Sequence, residues 1–379
     1  MYAVGAVAAA LVAPFWSGGR WLSVHLFTLG VLTNTVMAMS RHFAATLTRT
    51  RDNDAGTPLW LGNVGTAALV GGRVAQLAWL VAAGAAVVAA AVALNLRSMR
   101  SMRRAAVGAR FAFVVRSYEW AHAAFLVGAV LGTLLGLGAL PGRWYGAGRL
   151  AHMHVNVLGF AGLTLLATLV FFGPTMLRAR IHPGADRIAA RALRWGTAAL
   201  ALTVAALVAT GAGGAWEATA RISAGVALAG YCVVTLAICA PVVLAARRVG
   251  STHLRPAVVG ACAWLVTGIA LDAAAVTLQS RALLDAAAIA VLIGALAQSI
   301  VAATTYVAAV VRGDSRTQQR GPARGVVMNL GVALMIASIP IGGGAGMVVH
   351  RGAAATVGLA IVTALGAAAL SSADGRARS

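Results

Sequence analysis

Acidic side chains are scarce in this sequence and lysine is absent: it holds 9 aspartates and glutamates, 30 basic residues that are all arginine, and 3 cysteines. Charged residues make up 10% of the chain against 60% apolar ones, a composition that cannot close around a soluble core. No phosphate-binding glycine loop, no Cys-x-x-Cys pair and no Ser-His-Asp order in a strand-turn-helix context is present. Those absences remove nucleotide hydrolysis, thiol redox exchange and serine hydrolysis from the readings. The formal charge of +21 resembles that of a nucleic-acid binder. The arginines lie between apolar segments rather than on one polar face, so topology explains them and no nucleic-acid partner is expected. What remains is an all-α, polytopic membrane protein whose main partner is the lipid bilayer. Cys232, Cys239 and Cys262 fall inside apolar segments and are read as small apolar residues.

Stretches near the length that spans about 30 Å of hydrocarbon number twelve. They lie near 1–16, 21–47, 58–71, 74–95, 112–141, 149–177, 190–212, 217–246, 255–277, 283–311, 324–341 and 345–371. The third is short, and a turn at Gly71-Gly72-Arg73 decides between twelve segments and eleven. Putting the connections after even-numbered segments on one side leaves only Arg20, Arg73, Arg143, Arg149, Arg221, Arg281 and Arg351 on the other. That asymmetry is the one expected when both termini are cytoplasmic. The first segment lacks the basic start of a secretory signal and is read as a helix. One transmembrane domain over 1–379 is expected, with a polar tail at 372–379.

Arg20, His25, Gly30, Arg49 and Arg51 recur 129 positions later as Arg149, His154, Gly159, Arg178 and Arg180. Each set brackets one long apolar segment, so segments 2 and 6 read as copies of one helix with a histidine inside its outer end. Segment 2 descends from outside, which puts His25 about one turn below the outer boundary and His42 about 25 Å deeper. These two cannot share a ligand. His152 and His154 lie level with His25, but two residues on a regular helix diverge by about 200°. Both face one ion only if the first turn of segment 6 is irregular. The repeat nominates His154, whereas His152 shares its face with Asn156 and Gly159.

A histidine inside a membrane helix is a functional candidate by default, and neutral imidazole suits copper, iron and zinc. The metal-ligating set is therefore His25, His152 and His154, with Met153 as a soft donor or packing residue. Gly30 and Gly159, one and a half turns below their histidines, are candidates for admitting a porphyrin edge. A second polar group comprises Arg116, Tyr118, Glu119 and His122 on segment 5, with His42 at similar depth. Its i, i+3 and i, i+4 spacings allow contact along one helix face. It reads either as a proton route or second haem-ligand pair through His42 and His122, or as an intrahelical ion pair of Glu119 with Arg116 or His122. Asp272 and Asp285 are expected to pair with arginines such as Arg281. Gly128, Gly132 and Gly136 form a packing stripe.

Twelve segments with histidines in the outer part of descending segments 2 and 6 resemble subunit I, the membrane subunit of the haem-copper oxidase superfamily. His25-Leu-Phe-Thr-Leu-Gly30 and Ala151-His-Met-His-Val-Asn-Val-Leu-Gly-Phe160 resemble bacterial membrane domains associated with multicopper oxidases or copper nitrite reductases, and NnrS haem-copper membrane proteins. The resemblance implies three pseudo-repeats of four helices, near 1–95, 96–246 and 247–371, with segments 2, 6 and 10 related. It implies a bacterial plasma membrane and a copper oxidase or nitrite reductase as partner. It also implies haem b held by His25 and His154, or copper held by His25, His152 and His154. Segments 7 and 10 lack the histidines that an oxygen-reducing centre needs, and Leu158 stands where the family has tyrosine four residues after His154. A complete terminal oxidase is therefore not expected. The expected function is a haem- or copper-binding redox protein that takes part in electron transport. A cofactor-free scaffold or assembly factor is the alternative. A transporter ranks third, because it needs a polar midplane path.

Overall fold

The computed structural model describes residues 1–12, 18–52, 54, 56–106, 110–181, 183–249, 253–311 and 323–376, with the side chains of 11 and 368–376 left aside. Every regular element among the described residues is helical. Among the described residues the helices group into twelve segments. They are α1 (Tyr2–Val12), α2 (Gly19–Thr48), α3 (Gly56–Val74), α4 (Ala78–Ala105), α5 (Ala112–Gly136), α6 (Arg143–Met176), α7 (Ala185–Ala212), α8 (Ala215–Arg248), α9 (Arg255–Leu278), α10 (Arg281–Val311), α11 (Ala323–Ile341) and α12 (Gly343–Arg376). Ten of them are long and apolar enough to cross a bilayer.

The exceptions are α1 and α3. With 11 residues, α1 reaches only about 16 Å, and residues 13–17 of that expected span lie outside the described set. At 19 residues α3 is long enough, but its glycines, threonines and Asn63 dilute its apolar character. The expected break after α3 exists three residues beyond the glycine pair. Gln76 takes φ +57° there, Leu77 is extended, and the Gln76 amide donates to Arg73 O at 2.9 Å. The glycines serve the hairpin itself. A Cβ on Gly72 would sit 2.8 Å from Val81 N, and one on Gly65 would sit 2.7 Å from Val88 N. The backbones of α3 and α4 thus approach as closely as small-residue helix contacts allow.

The chain divides into two compact units, residues 1–167 with 190–231, and residues 168–189 with 232–379. The first buries Val88, Val92, Met99, Tyr118, Leu166, Leu193, Leu207 and Tyr231. The second buries Leu177, Val242, Leu265, Ile269, Met328 and Val332. Large apolar side chains also face outward, among them Trp79, Trp195, Trp216, Val226, Val233 and Leu359. In water such a surface would drive aggregation, whereas hydrocarbon solvates it.

Three helices widen locally into π turns, with hydrogen bonds from residue i+5 to residue i: Leu26–Leu32 in α2, Val155–Gly162 in α6 and Ile289–Ala297 in α10. The first two begin 129 positions apart, directly after His25 and His154. In each, the residue after the turn returns a bond five residues back, Thr33 to Thr28 O and Leu163 to Leu158 O. The ends of α2 and α6 match too. Arg49 and Arg178 both close their helices in the left-handed conformation, at φ +54° and +55°. The next amides reach back at the same offset, Thr50 to Ala45 O and Ala179 to Pro174 O. Glycine usually occupies such a cap.

A further likeness joins the first and third π turns. Asn34, just past the turn in α2, exchanges amide bonds of 3.2 and 3.0 Å with Asn63 of α3. Gln298, just past the turn in α10, donates to Asn329 of α11 at 3.3 Å and to Ala257 O at 2.9 Å.

Candidate functional site

His25 ends the regular first turns of α2, and its Nδ1 lies 2.8 Å from Trp21 O. Its ring stacks on Trp21 with centroids 4.0 Å apart and planes 20° apart. The Arg73 guanidinium lies over the other ring system, 5.9 Å from the Trp21 centroid. His154 repeats the first of these features. Its Nδ1 lies 2.7 Å from Leu150 O, again four residues back, and the side chain is 3% exposed. A carbonyl partner puts the proton on Nδ1 and leaves Nε2 with its lone pair, the state in which imidazole ligates a metal.

His152 points elsewhere. Its Nδ1 lies 2.9 Å from Gly128 O on α5 and 3.2 Å from the Asn156 amide. The shorter contact needs the proton on Nδ1, and Asn156 satisfies itself on the His152 carbonyl at 2.8 Å. Gly128 and Gly132 make room for this pair, since a Cβ on Gly132 would meet the His152 ring at 2.6 Å and one on Gly128 would run into Asn156. His152 lies within electrostatic reach of His25, as Arg73 does.

Among the described residues no three His, Cys, Asp or Glu side chains come together around one point. The three-nitrogen set of His25, His152 and His154 is therefore not assembled. The irregular turn that would have aligned His152 with His154 lies after His154. Arg143–His154 is regular α-helix, so the two rings keep their divergence of about 200°. Gly30 and Gly159 also differ from the porphyrin-clearance expectation. The Tyr2 ring covers Gly30, and Ala124 and Leu200 cover Gly159. In this structure both are packing glycines.

The second polar group separates into two contacts. His122 is fully enclosed. It holds Tyr118 O through Nδ1 at 2.8 Å, receives the Asn95 amide on Nε2 at 2.9 Å, and meets Phe160 edge-on. His42 is exposed beside Phe43, so the two imidazoles do not share a site. Glu119 pairs with Arg103 of α4 through bonds of 2.5 and 3.2 Å, with Arg100 at 3.9 Å. The expected intrahelical partner, Arg116 or His122, is not used. Arg103 engages both carboxylate oxygens at once, the bidentate geometry that strengthens such a pair. Tyr118 is buried as well. Arg281 meets Asp285 at 3.3 Å, as its spacing suggests.

The sequence did not mark Trp21, Arg73, Asn95, Arg103 or Tyr231 as site residues. The Tyr231 hydroxyl donates to Leu158 O at 2.9 Å, holding a carbonyl inside the π turn of α6. Four residues separate Trp21 from His25, and Asn95 interrupts an apolar helix. Those are the signals that point to them. No protein-family model matches the chain, and no curated protein matches it.

Proposed function

We propose that this chain is a multi-pass redox protein that binds haem b, or failing that copper, through histidines at the arginine-poor end of α2 and α6, on a framework resembling haem-copper oxidase subunit I. One observation carries the reading. His25 and His154, 129 residues apart, each fix Nδ1 on the carbonyl four residues back, and each stands directly before a π turn. Local widening of this kind is frequent at functional sites. The three π turns, on α2, α6 and α10, support the threefold pseudo-repeat that the resemblance implies.

The donor chemistry fits. His25 and His154 offer Nε2 to a haem, while His25 and His152 offer Nε2 to a copper ion. Arg73 beside His25 favours the haem, because a guanidinium repels a bare cation and attracts the carboxylates that a haem carries. When bound, either group supplies one-electron transfer. The chain's own residues hold the ligand nitrogens in one tautomer. The third π turn has Ala288 where the first two have histidine, so oxygen reduction is left out of the proposal. A copper oxidase or nitrite reductase on the arginine-poor side of a bacterial plasma membrane is the proposed electron partner, with both termini on the cytoplasmic side.

A reduced-minus-oxidised spectrum with metal analysis tests this on the purified protein and on H25A, H152A and H154A. Haem ligation predicts loss of the haem bands in H25A and H154A and retention in H152A. Copper ligation predicts loss in H25A and H152A instead. Unchanged cofactor content in all three variants overturns the site. The covered faces of Gly30 and Gly159 favour a second reading, a cofactor-free scaffold. It predicts a colourless, metal-free preparation that copurifies with a partner protein.

A further inference from the structure

A cavity of about 190 Å³ opens between α4, α5 and α7 and brings Arg103, Arg116 and Arg194 together with Phe113 and Trp120. It lies where α4 ends and where α5 and α7 begin, so it sits at one bilayer boundary, the end that carries the arginine-rich connections. Only one of the three guanidiniums is neutralised, Arg103 by Glu119. Arg116 and Arg194 are exposed and have no carboxylate partner among the described residues, and the Trp120 indole N–H has no acceptor there. The two unneutralised guanidiniums repel one another unless an anion joins them. A phosphate accepts from guanidiniums in bidentate fashion.

The geometry points to a binding site for the phosphodiester headgroup of an anionic phospholipid. The guanidiniums and the indole N–H hold the phosphate, and the rings of Phe113 and Trp120 line the path of the first acyl carbons. The aromatic wall favours a lipid over free phosphate, which has no apolar part to place there. Basic pockets between membrane helices commonly take anionic headgroups. This inference is independent of the histidine site.

Native mass spectrometry of the full chain in a neutral detergent tests it, with phosphatidylglycerol, phosphatidylcholine and inorganic phosphate as separate probes. Phosphatidylglycerol is expected to bind selectively. Affinity should fall roughly thirtyfold in R116Q/R194Q, from about 1 kcal/mol for each arginine near the membrane surface. The control R247Q/R248Q, which removes equal charge outside the cavity, should bind as the parent does. Equal retention of phosphatidylcholine by the parent protein overturns the site without recourse to any variant. Undiminished phosphatidylglycerol binding in R116Q/R194Q overturns it as well. Binding of inorganic phosphate without lipid selectivity assigns the cavity to a small anion and overturns the lipid reading.

Discussion

A histidine away from water needs partners for its ring nitrogens, and in this chain three imidazoles solve the first half of that problem alike. His25, His122 and His154 all spend Nδ1 on the carbonyl four residues back. Only His122 has an Asn95 amide on Nε2, which marks it as a structural residue bridging α4 and α5. Removing that amide in N95A should cost about 1 kcal/mol, read as a lower melting temperature in detergent with cofactor content unchanged. An unaltered melting temperature would show that the contact carries no weight. The sequence exposed the imidazoles because histidine is rare in apolar helices. It hid their partners, because Asn95 precedes His122 by 27 residues and Arg103 precedes Glu119 by 16, distances at which no helix period links side chains.

At the scale of elements, glycine contacts and π turns decide how closely helices meet. Gly84 of α4 faces backbone, since its Cβ would sit 2.7 Å from Gly65 O and run into Leu69 N. Gly132 of α5 faces the His152 ring, which can rotate away. Gly84→Ala should therefore destabilise by about 2–3 kcal/mol and Gly132→Ala by about 1 kcal/mol, compared by unfolding in mixed detergent. Equal losses would mean that the α3–α4 backbone contact is looser than its geometry. The glycine stripe Gly128, Gly132 and Gly136 was legible as packing from its spacing alone. The π turns were not, because Leu26–Leu32 and Val155–Gly162 are ordinary apolar stretches. Within the second, the Tyr231 hydroxyl of another helix donates to Leu158 O, a contact that no local pattern announces.

For the whole molecule, alternation of helix direction puts the starts of α2, α4, α6 and α8 at one end. Trp21, Trp79, Trp144 and Trp216 stand within the first three residues of these helices. Tryptophan collects at bilayer boundaries, and arginine at the cytoplasmic one, so the tryptophan end should face outward. Single cysteines in a background without Cys232, Cys239 and Cys262 check this by impermeant maleimide labelling of intact cells. Gln76→Cys and Ala139→Cys should label before lysis, and Ser101→Cys only after it. The reverse pattern would invert the topology. Ten helices qualify as spans where the sequence suggested twelve, because α1 is short and α3 dilute in apolar residues.

The sequence by itself determined the solvent, the order of the helices, the arginine-poor end and the histidines paired at the 129-residue offset. All of these are one-dimensional: run lengths, composition between runs and a repeat at fixed offset. Only the tertiary structure decided that His152 turns to α5 while His154 is enclosed, that Glu119 leaves its own helix for Arg103, and that Gly30 lies under Tyr2. Each of those outcomes depends on which neighbouring helix supplies the nearest polar group or the bulkiest side chain. Helix spacing along a single chain does not carry that information.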